Sequence, residues 1–170
     1  MGLDMNVYTN SRELAKMVAE EYWADDEFAA ECARKCGEIG YWRKFSNMHG
    51  WMVDNVQDGD DDCKDYRIAP SMFMKLFHII ENCVAILDDY EDEEDALERI
   101  YEIFPERDGF FFMSSSEWQI EHIRDTYRWF NVLLKYLECD VKAETLYFRN
   151  PDTGEVDKDW EVYLWYNSSW

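Results

Sequence analysis

Bases are scarce in this chain. Seventeen lysines and arginines face thirty-eight acids, a formal net charge of −21. Such a chain repels bare nucleic acid and anionic membranes, and it is drawn to cationic surfaces, including those that hold DNA or RNA. Glycine and proline are also few, seven and three. The glycines are dispersed, so no phosphate-cradling loop is present. The chain has no metalloprotease helix, nucleophile elbow or kinase signature. Its three histidines, His49, His78 and His122, lack the spacing of paired metal ligands. Five cysteines (Cys32, Cys36, Cys63, Cys83 and Cys139) are an odd number at low density, not a disulfide scaffold. Cys32 and Cys36, four apart, share a helical face and read as small core residues.

No uninterrupted apolar run reaches the length of a membrane span, so no spanning helix and no membrane partner are expected. The opening MGLDMNVYT lacks the basic and apolar regions of a signal peptide. Asn6 stands where an N-myristoylation motif needs Ser or Thr. A reducing cytoplasm with free thiols is the expected setting.

What the chain has is aromatic rings: eight Trp, eleven Tyr and ten Phe within 47% hydrophobic residues. Rings bury large areas, so this composition predicts a folded domain despite the charge. With 170 residues, no linker-like break and no repeat, residues 1–170 are expected to form a single domain.

Periodicity assigns the elements. Leu3, Met5 and Val7 alternate with polar neighbours, as in a strand. Asn10 and Glu13 have capping-box spacing before a helix carrying Leu14, Met17, Val18 and Tyr22. Asp25 or Asp26 can restart a second helix, with Gly37 and Gly40 as stops. Tyr41, Phe45, Met48, Met52 and Val56 predict a helix over 41–57. Pro70 opens a helix with Phe73, Leu76, Phe77, Ile80, Val84 and Leu87 on one face. A short amphipathic stretch follows with Leu97, Ile100, Tyr101 and Phe104, and Pro105 ends it. GFFFM at 109–113 reads as a short buried strand. A last helix, capped by Ser116 and Gln119, runs through Ile120, Ile123, Tyr127, Phe130, Leu134 and Leu137. ETLYFRN and WEVYLWYN flank a Pro/Asp/Gly turn and predict a C-terminal β-hairpin. The expected fold class is α+β: five or six helices on a small antiparallel sheet built from that hairpin, with the N-terminal strand.

The acids are concentrated. Between Gly50 and Gly109 stand eighteen acids against five bases, which accounts for thirteen of the net negative charges. One knot is NVQDGDDDCKDY, with Asp58, Asp60, Asp61, Asp62 and Asp65. The other is DDYEDEED, with Asp88, Asp89, Glu91, Asp92, Glu93, Glu94 and Asp95. As a calcium loop starting at Asp58, the first knot has Cys63 where glycine belongs and Ala69 where the bidentate glutamate belongs. Three readings stay open for it: a solvated turn, an irregular metal site, or a surface that imitates phosphate. The basic triplet Trp42, Arg43 and Lys44 can bind an acidic ligand or pair with Asp54 or Glu38.

MGLDM, GYWRK, HGW, VDNVQDGDDDC, GFFF and NSSW together resemble a family of small phage and prophage proteins with no established activity. The resemblance covers most of the chain in separated blocks, and the 40–63 block is the most specific. It implies a small, acidic protein of the host-cell cytoplasm that acts by binding a host protein. The leading expectation is an anti-defence inhibitor of anti-CRISPR kind, not an enzyme. Its twelve carboxylates in the two knots would cover the basic nucleic-acid channel of a host nuclease or CRISPR effector. No catalytic residue, metal ligand or cofactor is assigned. The alternative is a metal- or nucleotide-binding protein with its site near Trp42, Arg43, His49 and the 58–65 loop.

Overall fold

A computed structural model describes residues 2–107 and 116–170. Its elements run β1 (Asp4–Thr9), α1 (Arg12–Glu21), α2 (Glu27–Cys36), β2 (Glu38–Arg43), α3 (Ser46–Asn55), β3 (Tyr66–Arg67), α4 (Pro70–Asp89), α5 (Glu93–Ile103), α6 (Ser116–Tyr136), β4 (Leu137–Asp140), β5 (Thr145–Arg149), β6 (Val156–Glu161) and β7 (Leu164–Ser169). The fold is α+β with two antiparallel sheets, ordered β2-β1-β7-β3 and β4-β5-β6. The strand expected at 109–113 lies outside the described residues.

β1 is the strand its alternation predicts. Met5, Val7 and Thr9 are buried, and they oppose Ser168, Tyr166 and Leu164 of β7 in register. The first and last strands of the chain therefore lie side by side, with one face turned to the core.

Local chemistry sets the helix starts. Ser11 caps α1, its hydroxyl accepting from the Leu14 N–H at 3.1 Å, so the cap sits one residue beyond the expected Asn10. Asn10 instead ties the start of α1 to the join between the two sheets. Its amide donates to the Glu161 carbonyl at 3.0 Å and accepts from the Tyr163 N–H at 2.7 Å. Asp26 caps α2, and Gly37 ends it at φ 72°. A Cβ on Gly37 would lie 2.4 Å from the Thr9 carbonyl oxygen, so both conformation and space require glycine there.

The expected helix over 41–57 is divided. Residues 38–43 form β2, and α3 begins only at Ser46. In β2 the period is two: Gly40 and Trp42 point inward, while Tyr41 and Arg43 are exposed. Tyr41 donates its hydroxyl to Asp4 at 2.6 Å across the sheet. The spacing of Tyr41 to Phe45 only coincides with a helical step. Gly40 is thus a strand residue, not a helix stop.

The C-terminal region departs as well. A hairpin joins β5 to β6 through a turn in which Asn150 Oδ1 accepts from the Asp152 and Thr153 N–H groups. However, WEVYLWYN is split: Leu164, Tyr166 and Ser168 bury one face of β7 in the other sheet. Leu137, read as helical, starts β4 instead, pairing with Phe148.

The core is aromatic. Trp129 of α6 packs edge-on against Trp42 of β2 at 5.1 Å and lies 4.9 Å from Phe130. Phe73 of α4 stands 5.0 Å from Phe130. β2 is an edge strand, and α6 closes it: the Trp129 indole N–H donates to the Ile39 carbonyl at 2.6 Å, and His122 Nε2 donates to the Arg43 carbonyl at 2.9 Å. α4 is long and apolar enough by composition to cross a membrane, but its Phe73, Leu76, Ile80 and Cys83 are buried in this core. Of the two cysteines read as core residues, Cys36 is exposed and Cys32 half-buried, whereas Cys83 is buried and Cys63 exposed.

A Cβ on Gly40 would sit 2.6 Å from the Trp42 ring and 3.1 Å from Trp129 Nε1. Gly40→Ala is therefore expected to destabilise the protein by about 1–3 kcal/mol through overpacking. Thermal melting checks this, and an unchanged melting temperature would contradict the packing described.

Candidate functional site

The 58–65 loop is held from within. Gln57, buried, donates its side-chain amide to the Asp60 carbonyl at 3.0 Å, and the Asp60 N–H returns to the Gln57 carbonyl at 3.0 Å. Asp58 and Gly59 both take positive φ, 54° and 86°, which aspartate and glycine tolerate better than most residues.

His49 of α3 fastens the centre of this loop. Its ring is fully buried, with Nε2 3.1 Å from Asp61 Oδ1 and Nδ1 2.9 Å from the Tyr166 hydroxyl of β7. Ionised aspartate only accepts, so Nε2 carries the proton and Nδ1 accepts from Tyr166. Burial holds the imidazole below its ordinary pKa, against the opposing pull of Asp61. Burial also raises the Tyr166 phenol far above its usual range. The other Asp61 oxygen faces Arg107 Nε at 3.8 Å, and Arg107 also reaches Asp54 at 3.3 Å. Arg107 can lie there because position 50 is glycine: a Cβ on Gly50 would stand 2.9 Å from Arg107 Cβ.

The remaining aspartates divide by role. Asp62 accepts from the Lys64 N–H at 3.1 Å and pairs with the Lys64 ammonium at 2.7 Å. Asp65 accepts from Asn167 of β7 at 3.1 Å, and the same amide holds the Cys63 carbonyl. Asp58 and Asp60 stay exposed. Three of the five aspartates are thus engaged within the protein, and the loop is a stapled turn more than a free acidic fringe. The staples Gln57, Tyr166 and Asn167 carry no local motif, and sequence reasoning missed them.

The second knot is different. Asp88 and Asp89 close α4, whose last turn has no basic residue. Carboxylates there oppose the helix dipole. Asp88 is compensated by Arg124 at 2.9 Å, whereas Asp89 is exposed. Asp92 caps α5, accepting from the Glu94 and Asp95 N–H groups at 2.9 and 3.2 Å. Glu93, Glu94 and Asp95 sit in the first turn of α5, where the dipole favours them, and Glu91 is exposed beside them. The two knots are separated along the chain by α4, whose 20 residues span about 30 Å.

The residues of the metal- or nucleotide-site alternative are not free to act together. Trp42 is packed in the core, and His49 is buried under Asp61. Arg43 faces Asp4 at 3.8 Å rather than Asp54 or Glu38. Among the described residues, no three His, Cys, Asp or Glu side chains converge as metal ligands.

The chain matches no protein-family model, no curated protein and no solved structure. The likeness to phage and prophage proteins therefore rests on its sequence blocks alone.

His49 and His122 are both held below the ordinary imidazole pKa, chiefly by burial. As pH falls, the unfolded chain takes up protons first, near its ordinary value of about 6.5. Stability is therefore intact above that pH and is lost progressively below it. Urea unfolding at about pH 7.5 and pH 5.5 should show the loss, and His49→Gln should reduce the difference between the two. Equal stability at both values would contradict the buried, neutral His49.

Proposed function

We propose that this chain is a stoichiometric inhibitor of phage type that acts in the host-cell cytoplasm. Its acidic surface would cover the basic nucleic-acid channel of a host nuclease or CRISPR effector. The carrying observation is the α4–α5 turn. Within α5, Glu93, Glu94, Asp95, Glu98 and Glu102 occupy an 11-residue helix about 16 Å long, with Arg99 of the same helix paired to Glu102. That is about one carboxylate per 3 Å, close to the phosphate spacing along one nucleic-acid strand. Asp89 and Glu91 extend the series, and Asp89 stands where the dipole of α4 disfavours it, as does Asp88 beside its Arg124 partner. A local electrostatic cost of this kind is characteristic of residues kept for function.

The acidic contact surface is weighted toward Asp88, Asp89, Glu91, Asp92, Glu93, Glu94 and Asp95. From the loop, Asp58 and Asp60 supply the outward charge, while Asp61, Asp62 and Asp65 shape the turn. A net charge of −21 steers the protein toward a cationic cleft and away from nucleic acid itself. Tyr90, 44% exposed within the acidic turn, offers aromatic contact area to a partner.

The test is retention of a host protein by the immobilised chain, with mass spectrometry, a salt series and competition by duplex DNA. Retention should fall by roughly tenfold or more between low and moderate salt, and DNA should displace the chain. Converting Asp89, Glu91, Glu93 and Glu94 together to their amides should abolish retention, whereas Asp58→Asn with Asp60→Asn should weaken it less. Salt-insensitive retention, or full retention by the fourfold variant, would refute the reading.

A further inference from the structure

A cavity of about 500 Å³ opens between the first turn of α1 and the β5–β6 hairpin, lined by Arg12, Glu13, Phe148, Asp157, Trp160 and neighbours. The pairing of β5 with β6 is irregular here: Tyr147 opposes Glu161, but Phe148 opposes Asp157. Residues 158–160 therefore bulge from the ladder, and Asp157 braces the bulge by accepting from the Asp159 N–H at 3.0 Å. The bulge presents Trp160, which is 63% exposed. Most of this indole is turned to solvent on a braced bulge, where it can offer aromatic contact area to a partner.

The protein itself shows what such a ring can hold. Arg67 lies 4.1 Å over the Tyr163 ring and bonds Glu161 at 2.9 Å. Arg128 lies 4.5 Å over the Tyr22 ring and pairs with Asp125 at 3.2 Å. In both places a guanidinium is held by an aromatic face and a carboxylate together. Trp160 has the aromatic face, and Asp157 and Glu13 are among the residues lining the same cavity. Among the described residues no cation lies over it.

We infer that the Trp160 cleft receives an arginine side chain of the partner, stacked on the indole and paired with Asp157 and Glu13. The inference rests on the proposed basic partner and names a specific seat for it. The overall charge concentrates cations and repels anionic ligands, which decides the sign of the occupant. Arg12 lines the same cavity and opposes a cation there.

A hexa-arginine peptide titrated into the full chain, followed by the indole N–H signals with Trp160 assigned through Trp160→Phe, tests this. The Trp160 signal should move, and hexa-lysine should bind more weakly. Trp160→Ala, whose side chain is too exposed to be needed for folding, should weaken binding by about five- to thirtyfold. Asp157→Asn and Glu13→Gln should also weaken it, while Arg12→Gln should strengthen it. An unmoved Trp160 signal, wild-type binding by Trp160→Ala, or weakening by Arg12→Gln would overturn the inference. A solution dimer dissolved by Trp160→Ala would assign the face to a second copy and overturn it too. If host-protein retention is abolished by the fourfold α4–α5 variant but unchanged by Trp160→Ala, the arginine seat fails while the acidic-surface reading stands.

Discussion

Trp129 is the side chain on which the rest of this structure depends. Its ring packs against Trp42, Phe73 and Phe130, joining β2, α4 and α6 around one point. Its indole N–H takes the Ile39 carbonyl on the open edge of β2. One residue thus buries a large apolar area and removes a pairing-competent group from a sheet edge. Gly40 opposes Val7 in the sheet and leaves room for the two tryptophans to meet. The interlock gives the chain a core able to withstand the self-repulsion of a net charge of −21.

The acids are not one population. Some are structural: Asp26 and Asp92 cap helices, Asp61 receives the buried His49, and Asp125 and Glu161 hold arginines against tyrosine rings. Others, such as Asp89, Glu91, Glu93 and Glu94, are exposed at a helix junction, where Asp89 works against the dipole of α4. The distinction changes what the acidic composition means. In the 58–65 loop, three of the aspartates are bonded to neighbours and fix a turn beside β7. Around the α4–α5 junction charge is presented outward, on the exposed carboxylates of Asp89, Glu91, Glu93, Glu94 and Asp95. A basic partner would meet the second surface, with the first serving mainly as architecture.

Much of the fold was legible where local periodicity and tertiary environment agreed. β1 shows its alternation because one of its faces is core, and α4 shows its stripe because it packs on α6. Pro70, Asp26 and Gly37 punctuate the chain as their backbone chemistry requires. The reading failed where two periods overlap over few residues. Tyr41, Phe45 and Met48 fit a helix, yet Lys44, at φ 58°, turns the chain between β2 and α3. It also failed at Leu137 and at WEVYLWYN, where an apolar stretch continues past the end of one element into the next.

For the candidate site, the carboxylates themselves were visible, but their commitments were not. His49 lies twelve positions before Asp61 and 117 before Tyr166, and no local spacing signals a bond between them. Sequence by itself determined the acidity, the aromatic core material, the α+β class and the two acidic knots, because composition and short-range pattern suffice for these. Only the tertiary structure decided which aspartates are bonded within the loop, which tryptophans stay in the open, and which strands share a sheet. Those outcomes depend on contacts between residues far apart in the chain, where burial and hydrogen-bond geometry, rather than residue type, set each side chain's role.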